Sequence, residues 1–130
     1  MTIEVQWENE AHTVVLLQFK GSMTWREYDE GVDKTYALMR TVDHKVDVIS
    51  YMHPTVRLPK GDAISHIKRA FTVRPPNMRK GLLIGSDLFG EAVVRALIKV
   101  KGIQETYIAV ENVEAAHAMI AKLNQETEKS

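Results

Sequence analysis

The chain has 130 residues with 17 basic and 17 acidic side chains, so its formal net charge is zero, and it contains no cysteine. That length suits one domain whose core needs no disulfide or metal staple, and the charge balance speaks against bulk attraction to nucleic acid or anionic lipid. The missing cysteines exclude a disulfide scaffold, a thiolate zinc site and a cysteine nucleophile together.

Residues Ile3, Val5 and Trp7 alternate with polar neighbours, the period-2 pattern of a half-buried strand. A polar turn follows, and Thr13–Phe19 reads as a second strand completing a hairpin. Thr24 and Glu27 form a capping box, and Trp25, Tyr28, Val32, Tyr36 and Met39 recur at helical spacing, which predicts a first helix over Trp25–Thr41. The apolar, β-branched run Val46–Met52 (VDVISYM) reads as an interior strand. The segment His53–Gly61 (HPTVRLPKG) holds two prolines and a glycine and is a loop, longer than the usual connection of about 2–6 residues.

Asp62 is the cap of a predicted second helix with Ala63, Ile64, Ile67, Ala70 and Phe71 on one face, ended by Arg74-Pro75-Pro76. Gly81–Gly85 (GLLIG) reads as a short buried strand. Ser86 or Asp87 then caps a third helix carrying Phe89, Val93, Ala96, Leu97 and Val100. Thr106–Val110 (TYIAV) is the last strand. Asn112 caps a fourth helix carrying Val113, Ala116, Met119, Ile120 and Leu123, and residues 125–130 form a polar tail expected to fray. The order ββαβαβαβα over residues 1–124 predicts a single α/β domain. Its strands are joined through helices and so run parallel, while the opening hairpin adds antiparallel pairing at one side.

On these elements the chain resembles the STAS-like group, the sulfate-transporter and anti-sigma-factor-antagonist domains, and among them the small stand-alone SpoIIAA-like bacterial members. The resemblance rests on the first helix opening TWREY, the strand VDVISYM entering a long loop, the GLLIG strand, and TYIAV before the closing helix NVEAAHAMI. It implies a non-enzymatic regulatory or protein-interaction domain; the opening MTIEVQWENEAH has no basic start followed by an apolar run, so the expected compartment is the cytoplasm. In signalling members a serine at the start of the second helix, usually within an Asp-Ser-Ser-Gly run, is phosphorylated to release a kinase-like partner. The matching stretch here is Gly61-Asp62-Ala63-Ile64-Ser65. A permanent carboxylate at Asp62 cannot be toggled, and Ser65 stands about a turn further on.

Charge is unevenly placed. Between Arg57 and Lys80 seven basic residues stand against one acidic, an excess of +6, whereas residues 1–36 carry three basic and seven acidic, an excess of −4. Read as one basic flank, the second helix and its two loops would meet a protein partner with an acidic surface, or a small anionic ligand; read as solvated surface, they would meet nothing. The candidate docking residues are His53, Arg57, Lys60, Asp62, Ser65 and Arg69. An alternative is a carrier of a small apolar or lipid-like ligand in a pocket of Tyr51, Ile64, Ile67 and Phe71 beneath the second helix; a cavity of at least about 300 Å³ would favour it.

Other chemistry finds little footing. Gly85–Gly90 has the GxxxxG spacing of a phosphate loop without the following Lys-Ser/Thr. The five histidines have no HxxxH or HxH spacing, and Asp43, His44 and Asp47 read as a turn, so neither a metal nor a cofactor is expected. Ser50, Ser65 and Ser86 lack a GxSxG elbow, and Asp29 and Asp33 read as a wet helical face, so no catalytic residue is assigned. No apolar run is long enough to span a bilayer. The opening hairpin leaves a strand edge open to homodimer formation.

Overall fold

The computed structural model describes residues 3–54, 56, 57, 61–85, 95 and 101–129. In chain order these form β1 (Ile3–Trp7), β2 (Val14–Phe19), α1 (Trp25–Met39), β3 (Val46–Met52), α2 (Ala63–Thr72), β4 (Met78–Ile84), α3 (Ile103–Thr106), β5 (Tyr107–Ala109) and α4 (Val113–Lys129). The helix expected after Ser86 or Asp87, residues 86–90 of the glycine-spaced motif, and Lys60 lie outside the described residues.

The strands make one mixed five-stranded sheet in the order of the sequence. β1 is antiparallel to β2, with Ile3 opposite Phe19 and Trp7 opposite Val15, and every later pair is parallel. Local chemistry closes the hairpin. The Asn9 carboxamide oxygen accepts from the Thr13 and Val14 amides at 3.0 and 3.3 Å, His12 takes the left-handed conformation at φ 54, and its ring stacks on Trp7 at 4.5 Å.

Right-handed crossovers that always step to the next strand in one direction keep their helices on one face. The core bears this out. Side chains of α1 (Trp25, Tyr28, Val32, Tyr36, Met39) and α2 (Ile67, Ala70) share a buried cluster with Val15, Leu17, Phe19, Val48 and Leu83. The last helix has no strand left to reach and folds back over the other face, where Ala116 and Ile120 pack on Val14, Ile49, Leu82 and Ile84. Gly81 permits a close approach on the α1–α2 side, since a Cβ there would lie 2.5 Å from the Tyr107 ring.

Three expectations need correction. Asp47 is not in a turn: it stands in β3, 2% exposed. It accepts from Arg79 Nε at 3.0 Å and from the Lys80 amide at 3.1 Å. The tail is helical to Lys129, anchored where Arg79 Nη2 donates to Asn124 at 2.8 Å. β4 begins at Met78, three residues before the apolar run that marks it, because the consecutive charged residues Arg79 and Lys80 break the apolar pattern. Among the described residues no helix is long and apolar enough to cross a membrane.

Candidate functional site

Both loops at the carboxyl ends of β2 and β3 are pinned by backbone bonds. After β2, Gly21 turns the chain at φ 64, and Thr24 starts α1. Its hydroxyl accepts from the Glu27 amide at 3.1 Å, and the Glu27 carboxylate accepts from the Thr24 amide at 3.0 Å. After β3, the His53 amide donates to Phe19, the Val56 amide to His53, and the Arg57 amide to Gly21 at 3.2 Å. Ser22 and Arg57 thereby form a parallel bridge, one rung beyond the sheet. Val56 is buried beneath it while the Arg57 side chain is exposed.

Gly61 leads into α2 at φ 128, where a Cβ would sit 3.3 Å from Trp25 Nε1. Asp62 then caps the helix: its carboxylate accepts from the Ser65 amide at 3.2 Å and from the Ser65 hydroxyl at 2.5 Å. The Ser65 hydroxyl first, and its amide second, hold the Asp62 carboxyl below the usual range. One residue on, the His66 ring lies flat on Trp25 at 4.9 Å and 7°. His66 Nδ1 donates to both oxygens of Asp29 at 3.0 Å. Arg69 continues the seam, donating to Asp33 at 2.9 and 3.1 Å.

Asp29 is thus half-buried against α2, while Asp33 stays exposed as expected and pairs with Arg69 at the rim. Four residues apart on α1, both look onto α2, and the side chains they meet, His66 and Arg69, lie three residues apart there. Sequence reading missed this seam because its two halves are more than thirty residues apart. The helical spacing of Asp29/Asp33 and His66/Arg69 was the signal available. Two donors in the seam, Trp25 Nε1 and Arg69 Nη1, are buried with no hydrogen-bond acceptor among the described residues.

The predicted docking set is only partly assembled. Asp62 and Ser65 are bonded to each other, and Arg57 lies at the same carboxyl end of the sheet, all three exposed. Arg69 is turned into the α1–α2 seam. His53 lies on the other sheet face, its Nε2 3.2 Å from Gln18 Oε1 and its ring 4.4 Å from Tyr51, and burial holds its pKa below the usual histidine value.

The single basic flank is overturned. The loops before and after α2 necessarily lie at opposite ends of the sheet, separated by a ten-residue helix that spans about 15 Å. Arg74 folds back over the Phe71 ring at 3.9 Å, Arg79 pairs with buried Asp47, and Lys80 Nζ donates to the Glu105 carbonyl. Arg57, Lys68 and Arg74 are the exposed cations of the set without an ion-pair partner among the described residues, and of these Arg74 is held against Phe71.

The expected apolar pocket is divided in the same way. Ile67 and Phe71 belong to the α1–α2 side and Tyr51 to the α4 side, because Tyr51 neighbours Met52 on a strand whose side chains alternate. Ile64 is half-buried on α2. The cavity beneath α2 has about 30 Å³, lined by Tyr28, Thr35, Tyr36, Ser50, Ala70 and Tyr107 among others. That holds about one water, far below what a lipid-like ligand requires. Among the described residues no three histidine or acidic side chains are grouped to hold a metal ion. Comparison with known protein families, with curated proteins and with solved structures returns no match.

Proposed function

We propose that this chain is a non-enzymatic, STAS-like regulatory or interaction domain of the cytoplasm that docks a protein partner through the loop 53–61 and the first turn of α2. The observation that carries this reading is the bridge at Arg57. Its backbone is fixed by Gly21 and by buried Val56, yet its guanidinium stands in solvent with no ion-pair partner among the described residues. Binding side chains are characteristically held this way, on a loop positioned by a rigid scaffold. Lys68 adds a second uncommitted cation on α2, so the partner surface is acidic.

The groups nearby that have acid–base or nucleophilic character are engaged with one another. Ser65 is bonded to Asp62, and His66 is held by Asp29 on one side and Trp25 on its face. This supports a recognition role over a chemical one. Val73 is the exposed large apolar side chain among the described residues, which favours a partner met mainly through polar contacts.

Site-specific photo-cross-linking in cells tests the reading. A cross-linking residue at Ser65 should yield an adduct with one recurrent protein, and Arg57→Glu in the same chain should reduce that yield severalfold. The same residue at Lys122, exposed on α4, should yield none of that adduct. Equal adducts from both positions, or a yield indifferent to Arg57→Glu, would refute it.

A further inference from the structure

We propose that the free edge of β1 pairs with the same edge of a second copy of this chain, antiparallel about a twofold axis at Val5, joining two sheets into one. The inference begins from which backbone groups β1 leaves open. The Glu8 amide donates to the Val14 carbonyl at 2.8 Å. In the register that sets Trp7 opposite Val15, this makes Glu8, Gln6 and Glu4 the residues bonded to β2. By alternation, the N–H and C=O groups of Ile3, Val5 and Trp7 point outward. β2 agrees, since the Thr13 and Phe19 carbonyls accept from β3.

A groove of about 340 Å³ runs along that outer side, lined by Ile3, Glu4, Val5, Gln6 and Lys34. The opposite edge, β5, is three residues long, short enough to be protected by its length.

The strand IEVQW is complementary to itself in one register. With the axis at Val5, Ile3 meets Trp7 of the copy, Val5 meets Val5, and Glu4 meets Gln6. On the helix face this gives β-branched and aromatic pairs, and on the other face a carboxylate opposite a carboxamide. The same register lets all three outward residues exchange backbone bonds. An axis at Glu4 would place two carboxylates together and leave Trp7 unpaired. One feature opposes association. Gly31 lies level with Ile3, where its Cβ would be 3.0 Å from Ile3 Cγ2, and α1 runs parallel to β1. Lys34, three residues further, thus stands level with the strand centre and approaches its own copy near the axis. Charged side chains at an edge restrain pairing, so the dimer is a reversible one that tightens with salt.

Sedimentation velocity over a wide concentration range, up to millimolar, tests this. The unmodified chain should show a reversible monomer–dimer equilibrium. Val5→Pro removes an outward N–H without touching the β1–β2 ladder, and should weaken association by about tenfold or more. Lys34→Ala should tighten it. Gln6→Glu lies on the solvent face and sets carboxylates opposite one another at both ends; it should weaken association severalfold, and it keeps the test open if the proline variant does not fold. A chain that stays monomeric at every concentration would overturn the proposal. So would a dimer whose dissociation constant is unmoved by the folded Val5 or Gln6 variants.

Discussion

Tyr36 and Tyr107 offer a test of how α2 is held in place, because the direction of their shared hydrogen bond predicts unequal costs. Tyr36 Oη donates to the Ala70 carbonyl at 2.7 Å. Having spent its one proton there, it must accept from Tyr107 Oη, 3.0 Å away. Tyr36→Phe therefore removes both bonds and leaves the Ala70 carbonyl and the Tyr107 hydroxyl unpartnered in the core. Tyr107→Phe removes one bond and leaves the Tyr36–Ala70 bond intact. At about 1–3 kcal/mol for a buried group left unsatisfied, and with an adjoining cavity of about 30 Å³ able to admit a water, the first variant should cost about 2.5 kcal/mol and the second about 1 kcal/mol. For 130 residues the unfolding entropy is roughly 0.27 kcal/mol per degree, so the melting temperature should fall by about 9 °C and about 4 °C. Urea and thermal denaturation of the two single variants and the double variant would measure this. The double variant should cost less than Tyr36→Phe alone, because it no longer leaves the Tyr107 hydroxyl unpartnered. If Tyr107→Phe proves the more damaging, the polarity is reversed and the reasoning fails.

The same hydroxyls set an alkaline limit. Burial pushes Tyr36 up from the ordinary 10.0 to about 12 and raises Tyr28 and Tyr107 as well. The folded state holds these protons more tightly than the unfolded chain, so their stabilisation is complete below pH 10 and is lost as pH rises from 10 towards 12. Urea midpoints at pH 8 and 11 should show the drop, and Tyr36→Phe should flatten it. On the opposite face of the sheet, Asp47→Ala leaves the Lys80 amide without its acceptor and takes the carboxylate from Arg79, which keeps its bond to Asn124, at a cost of about 2–3 kcal/mol. Arg79 can reach water, which keeps the cost below that of a fully buried pair. A double-mutant cycle with Arg79→Gln should return a coupling above about 1 kcal/mol, and additive losses would show that the two do not act together.

The carboxyl-end surface was only half visible in the chain. Asp62 announced itself, because a helix cap is a local device of three or four residues, and Arg57 stood out in an overlong loop. The Trp25–His66–Asp29 stack and the Arg69–Asp33 pair did not, because nothing local says which flank of one helix will face another. For the same reason the cluster of cations between Arg57 and Lys80 looked like a single surface on paper and is distributed over both ends of a sheet.

Periodicity and capping fixed what is decided within a few residues: the alternation of β1, the capping box at Thr24, the apolar run of β3, and an α/β chain with one antiparallel hairpin. Pairing partners were decided only on folding. The sequential strand order, the burial of Asp47 against Arg79, and the placement of Tyr51 and Ile67 on opposite faces depend on contacts between residues far apart in sequence. Such contacts form only when the whole sheet closes, and a one-dimensional pattern carries the propensity of each partner but not the distance between them.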